Sequence, residues 1–365
     1  MRKALDKPFL AGVIILIIFG FFVFSSASLG LLAISGTKYS NVAFSQTFFG
    51  LFGGTIALLV LSRINYKFWK KYSFYIFAIA LILTALVFTQ FGYEHAGAKR
   101  WLLIAGHSFQ PSELLKGAFI MYVATWISGI RERITTFKYG LLPLLIIVGL
   151  VGLILLNQPD TDTFFVIMIS GFAMFLTAGG KWKHVLVMIL IAALGLFLIA
   201  SMRPYVKQRL LTFMRPDTNG LTTSYQIQQS LIAIGSGGIS GRGFGQSIQK
   251  FNFLPEPTGD SIFAVAAEEF GFLGGVFIIA LFVFFTIRGM KIASRVQDLF
   301  GRLLVVGIVI LIVTQAFINI GAMLGVLPLT GIPLPFISHG GTSLLITLGL
   351  MGIVLSVSRM GERKS

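Results

Sequence analysis

The stretch Leu254-Pro255-Glu256-Pro257-Thr258-Gly259-Asp260 puts two carboxylates in a proline- and glycine-bent loop at the lip of a long apolar run, and that run carries Glu268 and Glu269. Ionised acids are costly in hydrocarbon, so a chain that keeps them there is ordinarily using them. Other groups capable of chemistry gather in a few segments. Lys99-Arg100-Trp101 leads into Phe109-Gln110-Pro111-Ser112-Glu113-Leu114-Leu115-Lys116. Ser112 is placed to cap a helix starting here, with Pro111 closing the loop before it. Glu113 and Lys116 share one helix face, as a structural ion pair or as a pair turned towards a ligand. Gln158-Pro159-Asp160-Thr161-Asp162-Thr163 sets two acids at a helix start, where complementing the helix dipole is the simpler account of them.

Two further segments have unusual backbone chemistry. Tyr225 to Ile234 reads as a surface-lying or re-entrant helix, followed by the run Gly235-Ser236-Gly237-Gly238-Ile239-Ser240-Gly241-Arg242-Gly243-Phe244-Gly245-Gln246-Ser247. Glycines at this density can take positive φ angles and turn N–H groups towards an anion, with Arg242 among them. The alternative is a flexible linker. The run lacks the Lys-Ser/Thr ending of a P-loop, so a nucleotide site is disfavoured. The stretch from Leu327 through Ser338 and His339 to Ser343 is broken by Pro and Gly, and irregular backbone at membrane depth survives only against protein or a water-filled cavity.

These segments must be positioned by membrane helices. Of 365 residues, 56% are hydrophobic and only 12% charged, with a mean hydropathy of +0.88. A soluble core needs no such excess. The pattern predicts an all-α polytopic protein with about ten spans, at 9–33, 44–62, 73–92, 112–130, 140–157, 163–180, 185–202, 261–287, 303–323 and 342–358. The first is read as a retained span, not a signal peptide. The chain is a single transmembrane domain, 1–365, whose largest outside loop, 203–260, lies between spans seven and eight. Other outside segments are 93–111 and 324–341.

Basic residues cluster at Arg2 to Lys7, Arg63 to Lys71, Arg131 to Lys138, Lys181 and Lys183, Arg288 to Arg302 and Arg359 to Lys364, all on one side of the predicted spans. That side, with both termini, is cytoplasmic. The formal charge of +16 is therefore a topology signal and an attraction to anionic lipid, and no basic stripe with interleaved aromatics supports nucleic acid. There is no cysteine, and four scattered histidines show no metal-ligand spacing.

Read in order, these blocks resemble the SEDS family (shape, elongation, division and sporulation: FtsW, RodA, SpoVE), bacterial peptidoglycan polymerases. The matching pieces are Ser26-Ala27-Ser28, Lys99-Arg100-Trp101, Phe109 to Lys116, Gln158-Pro159-Asp160, Tyr225-Gln226, Gly235 to Gly245, Leu254-Pro255-Glu256 with Asp260, Phe263-Ala264-Val265, Glu268-Glu269 and Leu327 to Gly341. They cover nearly the whole chain. Asp6 to Leu10 and Gly259 to Phe263 are worded more like the division members. Two departures stand out: Thr161-Asp162-Thr163 where the family has an apolar residue, Gly and Thr, and His339 where it most often has Tyr.

The resemblance implies polymerisation of lipid II, a disaccharide-pentapeptide on undecaprenyl diphosphate, onto a nascent glycan at the outer face of the bacterial cytoplasmic membrane. Asp260, matching the family's essential aspartate, would be the general base on the acceptor 4-hydroxyl. Lys99, Arg100, Lys116 and Arg242 would neutralise the diphosphate, and Gln110, Glu113, Asp160 and Ser338 complete the substrate-binding expectation. A divalent cation, Mg or Mn, bridging carboxylate and diphosphate fits such chemistry, though the sequence shows no ligand set. Implied partners are a class B penicillin-binding protein and other divisome or elongasome proteins. A flippase for the same precursor is the competing reading, since broken spans and intramembrane acids also mark transporters; a scaffold that recruits a synthase is a third.

Overall fold

The computed structural model describes residues 5–33, 36–95, 98–104, 107–214 and 223–360; of the basic clusters read above, Arg2, Lys3, Arg363 and Lys364 lie outside them. Helices follow in the order α1 (Lys7–Leu29), α2 (Gly36–Phe44), α3 (Gly54–Arg63), α4 (Lys67–Ala85), α5 (Pro111–Gly129), α6 (Leu142–Asn157), α7 (Thr161–Thr177), α8 (Trp182–Met202), α9 (Pro204–Met214), α10 (Thr223–Ser236), α11 (Ile262–Arg295), α12 (Leu299–Met323) and α13 (Gly341–Met360). A π-helical stretch, Ser45–Gly53, joins α2 to α3.

Among the described residues, seven stretches are long and apolar enough to cross a membrane: Lys7–Leu32, Tyr39–Arg63, Lys67–Phe88, Phe137–Asn157, Ile262–Arg295, Leu299–Met323 and Gly341–Met360. The remaining expected spans coincide with α5, which carries Glu113 and Lys116, and with the shorter apolar helices Thr161–Thr177 and Trp182–Phe197. The chain is a multi-pass helical membrane protein. Its hub is α12, which packs on α5, α7 and α11 and buries Leu303, Leu304, Val305, Ile308 and Val309 completely. A helix apolar on every side belongs in such a centre. Outward faces carry Phe48, Phe52, Phe74 and Ile82, all more than half exposed, as lipid-facing positions should be.

Helix starts follow local rules. Asp6 Oδ1 accepts from Phe9 N at 2.9 Å ahead of Pro8, and Asp298 Oδ2 accepts from Gly301 N at 2.8 Å, opening α1 and α12. Ser112 does not cap α5. Gln110 holds the cap position, and the Ser112 hydroxyl donates instead to Asp160 Oδ2 at 3.3 Å. Segment 92–109 forms an antiparallel sheet in the order β1 (Gly92–His95), β2 (Ala98–Ile104), β3 (His107–Phe109), with Glu94 opposite Lys99. The strands are short and partly charged, so sequence alternation did not reveal them.

The glycine run is neither linker nor ligand nest. Helix α11 breaks at Gly271, where φ is 67° and ψ −164°, so two helical rungs are lost. Gly238 to Gly243 replaces both: Arg242 N and Gly243 N donate to Glu268 O and Glu269 O at 3.0 Å each, while Phe272 N and Leu273 N donate to Gly238 O and Ile239 O at 2.9 and 3.1 Å. Glycine is required at this crossing, since a Cβ on Gly241 would stand 2.1 Å from Glu269 O. The Glu268 side chain accepts from Ser247 Oγ (2.6 Å), Ile248 N (3.0 Å) and Gln249 N (3.3 Å). Glu269 Oε1 accepts from Lys250 Nζ at 2.8 Å and from Ser26 Oγ at 2.5 Å. The two intramembrane acids thus fold the run onto α11 and α1.

Candidate active site

The loop carrying Asp260 is pinned before anything approaches it. Glu256 O accepts from Gly259 N (3.0 Å) and Ser261 N (3.2 Å), curling the chain into the start of α11. One amide on α12, Asn319 Nδ2, donates to Asp260 O at 2.8 Å and to Ile332 O at 2.7 Å, tying this loop to the Pro/Gly-broken segment. Ser338 Oγ donates to Gly259 O at 2.8 Å and accepts from Leu334 N at 2.7 Å, and His339 N donates to Thr258 O at 2.7 Å. Backbone held at this many points fixes where the Asp260 carboxyl stands.

A cavity of about 1240 Å³ opens at the end of the bundle opposite the basic clusters, and Asp260 lines it with Arg100, Gln110, Glu113, Lys116, Asp160 and Arg209. Gly331 lines it as well. A Cβ built there would lie 3.6 Å from Asp260 Oδ2, 3.9 Å from Arg209 Nη2 and 4.0 Å from Arg100 Nη1. One carboxyl and two guanidinium groups therefore converge on the space that a side chain would fill. Arg100, on β2, also donates to Gln158 O at 3.4 Å and to Pro159 O. Arg209, on α9, donates to Asp162 Oδ2 at 3.0 Å. Asp260 lies outside the spanning helices. Burial, reinforced by the negative charges of Glu256 and Asp162 and opposed by Arg209 and Arg100, pushes its carboxyl up to about 7.

Deeper in the cavity, Lys116 Nζ donates to Glu113 Oε1 and to Gln315 Oε1, each at 2.9 Å, and Glu113 Oε2 accepts from Ser343 Oγ at 2.9 Å. The pair is both internally satisfied and cavity-lining. Asp160 occupies the cap position of α7 without a capping bond from its side chain; Asp162, in the first turn, accepts from Arg209 and from Gly331 N at 3.0 Å. His339 lines the cavity wall with its ring stacked on Phe24, centroids 6.2 Å apart. Burial pushes its imidazole down to about 4, which keeps it neutral.

Three expected site residues stand elsewhere. Lys99 is exposed on β2 and does not line the cavity. Arg242 is 37% exposed on the glycine run, 3.4 Å from Glu268 Oε1, with its Nε donating to Ser236 Oγ. The hydroxyl of Ser338 is committed to Gly259 and Leu334, so it shapes the loop from behind. Conversely, sequence reading missed Arg209, Gln315, Asn319, Gly331 and Lys250. Gln315 and Asn319 are one turn apart in an apolar helix, a pairing that pointed to a polar stripe; Arg209 had no such signal. Among the described residues no three His, Asp or Glu side chains cluster closely enough to hold a metal ion.

The pattern of the family described as "Cell cycle protein" (FtsW, RodA, SpoVE) matches residues 7–363. Stage V sporulation protein E of Bacillus subtilis is 39% identical over 307 residues, covering 84% of each chain. The probable peptidoglycan glycosyltransferase FtsW of Saccharophagus degradans is 37% identical over 364 residues, covering 98% of this chain and 93% of that protein. Among solved structures, a chain of a peptidoglycan synthase complex that coordinates polymerization and crosslinking superposes with a TM-score of 0.79 at 26% identity, covering 98% of both chains. The rod shape determining protein RodA of Thermus thermophilus superposes with a TM-score of 0.68 at 26% identity, covering 99% of both. Matched along almost its entire length in sequence and in helical architecture, the chain belongs to the FtsW/RodA/SpoVE family.

Proposed function

We propose that this family member polymerises peptidoglycan with Asp260 as its general base, in cell division or in maintenance of cell shape. The observation that carries the reading is the convergence of Asp260, Arg100 and Arg209 on the open space at Gly331. A carboxyl raised to about 7 is half ionised near neutral pH, where a base works best. It takes the proton of the acceptor 4-hydroxyl as that oxygen forms its bond to the anomeric carbon of the donor sugar. The bond from that carbon to the diphosphate breaks on the opposite face, so configuration inverts and undecaprenyl diphosphate leaves with the electron pair. Arg100 and Arg209 face the charge that develops on the leaving group, where a water-poor site strengthens their effect. Gln110, Asp160 and the Glu113–Lys116 pair line the sugar-bearing part of the cavity, and its volume suits a large headgroup. No step is assigned to a metal ion.

The basic clusters at the far end support a cavity facing outward from the cytoplasmic membrane. A transpeptidase of the penicillin-binding class is the proposed partner, by analogy with the synthase complex that couples polymerization and crosslinking. A flippase needs a route to both faces. This cavity's lining ends at Lys116, Val166 and Gln315, within about two turns of the helix ends at the mouth, which favours the polymerase. The test is glycan synthesis from labelled lipid II by the purified full chain with its partner. Asp260→Asn and Asp260→Ala should abolish chain growth and keep lipid II binding; near-normal growth by either refutes the base assignment.

A further inference from the structure

Asp162 is the acid by which this chain departs from the pattern it otherwise follows, and the structure gives it an unusual pair of partners. A single oxygen, Oδ2, accepts from Arg209 Nη1 and from Gly331 N, both at 3.0 Å. A guanidinium together with a backbone N–H is the donor set that a phosphate oxygen takes. Both donors border the cavity, and Asp162 itself does not line it. The pair is only part-buried, with side chains 13% and 19% exposed, so it can exchange partners without stranding a charge in a dry core.

We infer that Asp162 is an internal competitor for the diphosphate site: it holds Arg209 and the Gly331 N–H while the cavity is empty and yields them to a diphosphate oxygen of the incoming lipid-linked sugar. This rests on the polymerase reading above. Two consequences follow from charge alone. A substrate must displace a carboxylate to use Arg209, so affinity is lower than the donors could give. Asp162 also adds negative charge beside Asp260, which is faced in addition by Glu256 of its own loop, Arg209 of α9 and Arg100 of β2. Removing Asp162 therefore lowers the pH at which Asp260 ionises.

The experiment measures glycan synthesis by the full chain with its partner in proteoliposomes, as a function of lipid II concentration and pH. Asp162→Asn should lower the half-saturating lipid II concentration about fivefold, the Coulomb scale for one charge removed from a partly solvated anion site. It should also move the acidic limb of kcat/KM to lower pH. In an Arg209→Ala background the gain in affinity should shrink, because only the Gly331 N–H is then left for Asp162 to withhold. Asp162→Gly is the second variant, with the same expectations, and decides the matter if the asparagine fails to fold. Half-saturation that is unchanged or raised, or a gain that is undiminished without Arg209, overturns the inference. So does a fall in melting midpoint with loss of binding in both variants, which would make Asp162 a tie for α9. Asp260→Asn, run alongside, separates the two claims: if it stays active, the base assignment fails whatever Asp162 does.

Discussion

Replacing Asp260 by Asn should make the protein more stable and inactive at once, with a pH signature that only a destabilised carboxylate produces. The rise from an ordinary 3.8 to about 7 means that the folded state binds this proton far more tightly than the unfolded chain does. At about 1.4 kcal/mol for each tenfold in proton affinity, holding the ionised form in place costs about 4 kcal/mol. Asp260 lines an open cavity, and solvent screening roughly halves that, to about 2 kcal/mol. Folding takes up a proton between the two values, so wild-type stability is full below about pH 4 and is lost as pH rises through about 7. An asparagine does not titrate. The melting midpoint of Asp260→Asn in detergent should therefore match wild type near pH 4, exceed it increasingly towards pH 7 and hold a constant excess above pH 8. In the wild type, the acidic limb of kcat/KM should fall near pH 7. A variant less stable than wild type at every pH, or an acidic limb near pH 4, would refute the argument.

Which parts of this site are legible in sequence depends on whether a residue's partner is local. Gln110, Glu113 and Lys116 sit within one helical turn or so of a proline-marked helix start, and Asp160 at another, so their placement at the mouth of the bundle follows from the spans alone. Asp260 was marked by the proline- and glycine-bent loop before α11. Glu268 and Glu269 were marked equally well and misread, because hydropathy says that a carboxylate lies at membrane depth but not whether ligand or chain satisfies it. Their partners, Ser26, Ser247 and Lys250, come from α1 and from the far end of the glycine run. Arg242 and Arg209 show the same limit from the other side: both are basic residues in segment 203–260, and only packing puts α9 over the cavity and turns the glycine run towards Glu268.

Arg209→Ala should raise the half-saturating lipid II concentration several-fold, partly rescued at low ionic strength, whereas Arg242→Ala should leave it nearly unchanged; equal effects would return the glycine run to the site. Gly331→Ala should be tolerated, since its Cβ would meet only ordinary contacts at 3.6 Å and beyond, while Gly331→Leu should abolish turnover without lowering the melting midpoint. The sharpest structural case is Lys250. Its ammonium is fully buried and donates to Glu269 Oε1, Ser26 Oγ and Gly245 O, each at 2.8 Å. Lys250→Met keeps the length of the side chain and strands the Glu269 charge in a low-dielectric site, a loss of about 3–5 kcal/mol. Adding Glu269→Gln removes that charge while its amide oxygen still accepts from Ser26 and Ser247, so the double variant should recover most of the melting midpoint. Proteolysis within 237–247 should rise in the single variant and fall back in the double, because a stranded charge loosens the packing of the run on α11, whereas Glu269→Gln removes the charge and still accepts from Ser247. If Lys250→Met instead kept a wild-type midpoint and lost only turnover, the buried pair would not be what fastens the glycine run, and Glu269 would regain the chemical role that its depth in the membrane first suggested.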